Sequence, residues 1–204
     1  VRGAGTPRVE VEGVKELDGA EYTIIPDRIE TGTFLIAGAM TGGDVIVEGA
    51  RPDHLGALLD ILHSMGVQIS VENHSVRVRA GVPSQPVDVT TLPYPGFPTD
   101  LQAQIMAYLA TASGMSVITE KIYPDRFIHI AELARMGARI RKEGQSAIIS
   151  GVKKLSGAPV MASDLRASAS LVLAALLAGG ITEIHRIYHL DRGYERIEER
   201  LQKL

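Results

Sequence analysis

The feature that most constrains this chain is a pattern that recurs three times: an Asp opening an apolar helical stretch, a strand, then a second Asp opening an amphipathic helix. The first Asp of each copy is Asp27 in Pro26-Asp27-Arg28, Asp100 in Phe97-Pro98-Thr99-Asp100-Leu101, and Asp164 in Ser163-Asp164-Leu165-Arg166. The second is Asp53, Asp125 or Asp191, lying 26, 25 and 27 positions further on. Met65-Gly66 and Met136-Gly137 close the first two copies at matching places, while the third runs out at Leu204 before its glycine. Self-similarity at so long a period indicates repeated supersecondary units that bury their apolar faces against one another.

Within copy one the pattern predicts strands over 9–12 and 22–25, a helix over 29–40 capped by Asp27, and a strand over 45–48. A second helix, capped by Asp53, carries Leu55, Leu58, Leu59, Leu62 and Met65 at helical spacing, with Asp60 and His63 outward. Alternating segments 67–72 and 76–79 about Asn73-His74 read as a hairpin, which makes the unit β-α-β-α-β-β. Copy two repeats the plan with helices over 101–112 and 128–136, a strand over 116–119, and hairpin strands over 138–142 and 147–150. Copy three gives a helix over 165–177, a strand over 181–185 and a helix over 193–204, with no closing hairpin. One domain of three units, about 1–84, 85–156 and 157–204, follows.

The first helix of each copy is almost uncharged: 101–112 holds no charged residue, 165–177 only Arg166, and 29–40 only Glu30. A helix apolar on nearly all sides must be surrounded by protein. Alternation such as Val76-Arg77-Val78-Arg79 leaves one sheet face wet. Three helices inside and sheets outside define the expected fold class: an α/β domain of inside-out barrel type, with its third unit incomplete.

An apolar content of 45% against 22% charged suffices for one packed core in 204 residues. A net charge of -3 and pI near 6.1 argue against a general nucleic-acid or anionic-membrane binder and leave room for local basic sites. With no cysteine there is neither disulfide nor thiolate metal site, which suits a reducing cytoplasm, the expected location. The six histidines show no tight ligand spacing and read as surface or half-buried groups without catalytic roles. The longest apolar stretch, 171–181, is too short to span a bilayer, and no basic-then-apolar leader opens the chain. A first residue of Val1 rather than Met suggests a fragment, a processed product or an excised piece.

Candidate chemistry gathers at the helix starts. Helix N-termini attract anions through free N–H groups and the macrodipole, and here arginines stand beside them. Arg28, Arg126 and Arg192 each follow an Asp directly, and Arg166 lies two beyond Asp164. If these ends converge they form a pocket for a doubly anionic ligand; otherwise each Asp is an ordinary cap with an Arg paired to it. Asp100 follows Pro93, Pro95 and Pro98, a rigid approach that either holds a carboxylate ready to take a proton or simply precedes a cap. Glu120-Lys121-Ile122-Tyr123 ends a strand at the same rim, where Tyr123 has the choice of stacking on a base or sugar, or packing.

The strings Pro26-Asp27-Arg28-Ile29-Glu30-Thr31-Gly32-Thr33-Phe34, Phe97-Pro98-Thr99-Asp100-Leu101-Gln102, Arg126-Phe127, Glu132-Leu133, Arg135-Met136-Gly137-Ala138, Asp164-Leu165-Arg166-Ala167 and His189-Leu190-Asp191-Arg192-Gly193-Tyr194 carry a resemblance. In order and spacing they resemble the C-terminal half of the UDP-N-acetylglucosamine enolpyruvyl transferases, over essentially the whole chain. They look less like the shikimate-pathway enolpyruvyl transferases. The resemblance implies two inside-out α/β domains closing over phosphoenolpyruvate and UDP-N-acetylglucosamine, with no cofactor. The enolpyruvyl group passes to the sugar 3-hydroxyl through a tetrahedral ketal that then loses phosphate, the committed step of peptidoglycan synthesis. It implies Asp100 as the base for the 3-hydroxyl, Thr99 in the nucleotide-sugar site, Ile122 and Tyr123 on the UDP-sugar, and Arg192 on phosphoenolpyruvate. Arg126, Asp164 and Arg166 complete the polar wall, with Asp27 and Arg28 nearby.

The family's reactive cysteine and its Lys-Asn pair belong to the other domain and are not matched in this chain, so the chain is expected to be inactive alone. The competing expectations are a stand-alone UDP-sugar-binding or regulatory module and a purely structural use of the fold. An upstream reading frame bearing a cysteine-containing domain distinguishes the half-enzyme from the module.

Overall fold

The computed structural model describes residues 1–80 and 84–203. The first unit comprises α1 (Arg28–Met40), β1 (Asp44–Glu48), α2 (Gly56–Ser64), β2 (Gln68–Glu72) and β3 (Ser75–Arg79). The second comprises β4 (Val89–Thr90), α3 (Gln102–Leu109), β5 (Met115–Thr119), α4 (His129–Arg135), β6 (Arg139–Glu143) and β7 (Ser146–Ser150). In the third, β8 (Pro159–Met161), α5 (Leu165–Leu177) and β9 (Glu183–His185) are followed by the short helices α6 (Tyr188–Asp191) and α7 (Ile197–Leu201).

The sheets repeat as the sequence does. Their orders are β1-β3-β2, β4-β5-β7-β6 and β8-β9. In the first two the hairpin is antiparallel to the strand after the central helix, and the registers superimpose: Glu48 and Glu72 oppose Ser75, as Thr119 and Glu143 oppose Ser146, each 71 positions later. β4 runs parallel to β5, and β8 parallel to β9. Burial alternates in β3 and β7, so one face of each sheet meets the helices and the other meets water.

Helices α1, α3 and α5 touch one another pairwise at the centre. Every residue of α3 is buried, as the lack of charge requires. Close approach depends on Gly32 of α1, where a Cβ would lie 2.6 Å from Cδ1 of Leu101 and 3.0 Å from Cδ2 of Leu58. A polar cluster pins the three units in this core. Thr33 Oγ1 and the Tyr194 hydroxyl lie 2.8 Å apart, and Gln104 Nε2 donates to both at 3.2 and 3.4 Å. The Met-Gly pairs end α2 and α4 in the same way. Gly66 and Gly137 have φ of +91° and +90°, and their N–H groups donate to the carbonyls of His63 and Ala134. Val67 and Ala138 reach back to Leu62 and Leu133, completing the six-to-one bond of a Schellman motif.

Several expectations are corrected. Segments 9–12 and 22–25 form no strands: Arg2 and Glu10 make an isolated bridge, Ile24 is 85% exposed, and β1 is paired on one side only among the described residues. β-branched content suits a pleated surface, but a strand needs a partner and a covered face to be stable. The second Asp of each copy is not a cap. Asp53 sits in a 3-10 turn, Pro52–His54, gripped by Arg51 at 3.0 and 2.8 Å, and α2 starts only after Leu55. Asp125 lies in an exposed turn before α4, whose N-cap is Ile128, and Asp191 is the last residue of α6. Backbone carbonyls occupy N–H groups that a side-chain cap would take: the Leu55 N–H donates to Pro52, and the Phe127 N–H to Asp125. The expected helix over 193–204 is interrupted by Arg196 at φ +47°, leaving α7, and Leu204 lies outside the described residues. His129 is fully buried rather than at the surface, its Nε2 3.2 Å from the Met106 sulfur, because it occupies the inner face of α4.

Candidate active site

The three leading aspartates differ in what their carboxylates do. Asp27 accepts from the N–H groups of Ile29 and Glu30 at 2.7 and 3.3 Å, and Asp164 from those of Arg166 and Ala167 at 2.7 and 2.8 Å. Both are helix caps. In copy two the stiff Pro93-to-Pro98 approach enters α3 through a 3-10 turn, Thr99–Leu101, whose own N-cap is Pro98. That extra turn carries Asp100 inside the helix start, where no backbone N–H binds its carboxylate as a cap. It meets two guanidiniums instead: Arg126 Nη1 at 2.9 Å and Arg166 Nε at 3.5 Å. Their side chains are 19% and 15% exposed, so these pairs are screened less than surface pairs.

Asp100 stands where two clefts adjoin. One, of about 430 Å³, is lined by Asp100, Tyr123, Asp125, Arg126, Asp164, Arg166 and Arg192, with Ile128 and Leu165. The other, of about 540 Å³, is lined by Asp27, Arg28, His54, Tyr94 and Asp100 among apolar groups. The first is lined by three arginines. Of its carboxylates, Asp164 is committed to capping α5, and Asp125 points to solvent near Lys142 Nζ, 3.7 Å away. The second is roofed by Arg28, whose guanidinium lies 5.2 Å from the Tyr94 ring centre.

Eight of the ten residues singled out from sequence therefore line these two clefts. Thr99 and Ile122 are not among the lining residues. The Thr99 hydroxyl is turned to Glu120 and Arg126, and the Ile122 side chain is 43% exposed while its N–H points to Glu120. Arg166 is steadied by Tyr194, its Nη1 3.4 Å from the hydroxyl and its guanidinium 6.0 Å from the ring centre.

The residue that sequence reasoning missed is Glu120. Its carboxylate is fully buried and accepts from Thr91 Oγ1 at 2.5 Å, Thr99 Oγ1 at 2.9 Å, and the N–H groups of Ile122 and Tyr123 at 2.9 and 3.0 Å. The signal was present: Ser116, Ile118 and Glu120 alternate onto the inner face of β5 and its extension, and a charge on that face needs partners. His129 is buried where it feels both Asp164 and Arg126. Desolvation holds its imidazolium form down, to a pKa of about 4, with Asp164 favouring the charged form and Arg126 opposing it.

Comparison with known proteins bears on the family. A UDP-N-acetylglucosamine 1-carboxyvinyltransferase of Rhodopseudomonas palustris (strain BisA53) is 60% identical over 202 residues, 98% of this chain and 47% of that protein. One of Desulfosudis oleivorans is 56% identical over 204 residues, 100% of this chain and 49% of that protein. The chain thus spans about half the length of the curated relatives it matches. Among solved structures, the enolpyruvyl transferase NikO of Streptomyces tendae is similar with a TM-score of 0.82 at 32% identity, over 90% of this chain and 44% of that one. The sequence model described as EPSP synthase (3-phosphoshikimate 1-carboxyvinyltransferase) matches residues 1–201, and by that match along nearly its whole length the chain belongs to this family.

Proposed function

We propose that this chain is the substrate-binding half of a cytoplasmic transferase that moves the enolpyruvyl group of phosphoenolpyruvate to the 3-hydroxyl of UDP-N-acetylglucosamine, the committed step of peptidoglycan synthesis. The observation that carries the proposal is Asp100: a carboxylate free of capping, fixed by two arginines where two clefts meet. The relatives' names supply the substrate pair.

Arg126, Arg166 and Arg192 suit the carboxylate and phosphate of phosphoenolpyruvate, since guanidinium forks match both anions. The sugar then has its 3-hydroxyl at Asp100 and the rest of the nucleotide sugar between Tyr123 on one side and Tyr94 with Arg28 on the other. Asp100 removes that proton as the oxygen attacks C2, and a proton delivered to C3 completes the tetrahedral ketal. Loss of a C3 proton and of phosphate restores the enol double bond. The arginine wall stabilises the charge that develops on the departing phosphate. The proton donor for C3 is assigned to the half of the relatives that this chain does not span.

The test is a chimera in which this chain replaces the matching half of the Rhodopseudomonas palustris relative. Phosphate release from phosphoenolpyruvate, dependent on UDP-N-acetylglucosamine, is the expected result. A folded chimera that binds both substrates and releases no phosphate overturns the proposal.

A further inference from the structure

We infer that Glu120 is a positioning residue for the reaction: it sets the orientation of Thr99 and, through Thr99, holds Arg126 against Asp100. The inference deepens the transferase reading and rests on it for the role of Asp100. Glu120 is 0% exposed and its four hydrogen bonds all come from neutral donors. Three converge on Oε1, from Thr91 and from the backbone of Ile122 and Tyr123, and one reaches Oε2, from Thr99.

A carboxylate only accepts, so the Thr99 hydroxyl must donate to it. With its single hydrogen so committed, Thr99 Oγ1 can only accept from its other neighbour, Arg126 Nη1, at 3.2 Å. The same Nη1 is the atom 2.9 Å from Asp100. The polarity of the relay from Glu120 through Thr99 to Arg126 and Asp100 therefore has one direction, and hydrogen bonds aligned this way reinforce one another. Glu120 also ties the backbone of Ile122 and Tyr123 to the same carboxylate, so the strand end, the turn before α3 and the arginine wall share one anchor. The backbone N–H of Glu120 is itself held by the Gln145 carbonyl at 2.8 Å, which fixes the anchor to the hairpin loop between β6 and β7.

Glu120→Gln is the discriminating substitution. It keeps shape and leaves one acceptor for the three bonds at Oε1, but it presents an NH2 to Thr99, which must then accept and no longer has its donor engaged. In the chimera, Glu120→Gln is expected to lower kcat by on the order of 10- to 100-fold, the scale of a sub-ångström misplacement of a reacting group. The melting temperature should move by only a few degrees. Thr99→Val, which cuts the relay at its middle, is expected to give a similar loss, and the double variant is expected to be no slower than the slower single variant. Turnover of Glu120→Gln within about twofold of the unaltered chimera, or losses that multiply in the double variant, overturns the relay. If the unaltered chimera itself fails to turn over, the transferase reading falls and the relay is judged separately. The Arg126 side-chain N–H resonances are then expected to shift alike in both single variants, and unchanged resonances overturn it.

Discussion

Asp27 and Asp164 spend their carboxylates on helix N–H groups, whereas Asp100 spends its own on Arg126 and Arg166. Substitution should separate the two uses. Asp27→Ala and Asp164→Ala are each expected to cost about 1 kcal/mol of stability through the lost cap. Asp100→Asn removes the charge that faces two partly buried arginines rather than a cap, and is expected to lower kcat of the chimera by at least about 100-fold, the scale of a lost general base. Urea unfolding and phosphate release measure both, and a loss of turnover at Asp164 matching that at Asp100 refutes the distinction. His129 supplies a pH test. Its folded pKa of about 4 lies below the ordinary 6.5. The unfolded chain therefore takes up a proton first as pH falls, so the contribution is complete above 6.5 and is lost between 6.5 and 4. The neutral buried ring accounts for on the order of 3 kcal/mol across that window. Melting of His129→Gln should show that segment of the pH profile flattened; an unchanged slope would place the acid lability elsewhere.

At the level of elements, the central helices and the hairpins were legible and the approaches to them were not. Helix α5 spans the residues its apolar run predicts, and the hairpin strands fall within a residue or two of the alternating segments. Periodicity records burial, and those elements are defined by burial. Asp53 and Asp125 look like caps in sequence because a 3-10 turn, at Asp53, and an isolated turn, at Asp125, use the same Pro-Asp chemistry as a helix start. Two glycines show the difference between backbone and packing demands. Gly137 needs φ +90° with nothing near its absent Cβ, so Gly137→Ala is expected to cost about 1 kcal/mol from conformation alone. Gly32 has ordinary helical geometry but a Cβ there meets Leu101 at 2.6 Å, so Gly32→Ala is expected to cost about 1–3 kcal/mol. It should also lower turnover in the chimera, because Leu101 adjoins Asp100. Gly32→Ala proving milder than Gly137→Ala in chemical unfolding would refute the close-packing account of α1.

Across the whole molecule, protection is concentrated on the helix triad and absent at the beginning. Residues 1–27 are all exposed, including Leu17 at 90% and Ile24 at 85%, while α3 is buried throughout. Native-state hydrogen exchange is expected to find 11–27 near the unprotected rate and the centre of α3 among the slowest amides. Strong protection over 22–25 would mean that this segment pairs with β1 in solution. The purified chain by itself is expected to show no phosphate release from phosphoenolpyruvate and UDP-N-acetylglucosamine; measurable turnover by it would refute the half-enzyme reading.

The sequence by itself determined the threefold plan, the buried helices and the sheet faces, because repeat spacing and apolar periodicity are properties of the chain read along its length. It also marked Asp100 and the arginines, through the rigid proline approach and the family strings. Only the tertiary structure decided which aspartate was free. Whether a carboxylate caps a helix or meets a guanidinium depends on one 3-10 turn and on where Arg126 and Arg166, 26 and 66 positions away, come to rest. Glu120 was decided the same way: its residue type suggests a solvated rim, but its position on the inner face of the strand end and four converging donors place it beneath the site. Charge–charge geometry between distant segments is fixed by packing, and local alternation marks only the face a residue takes.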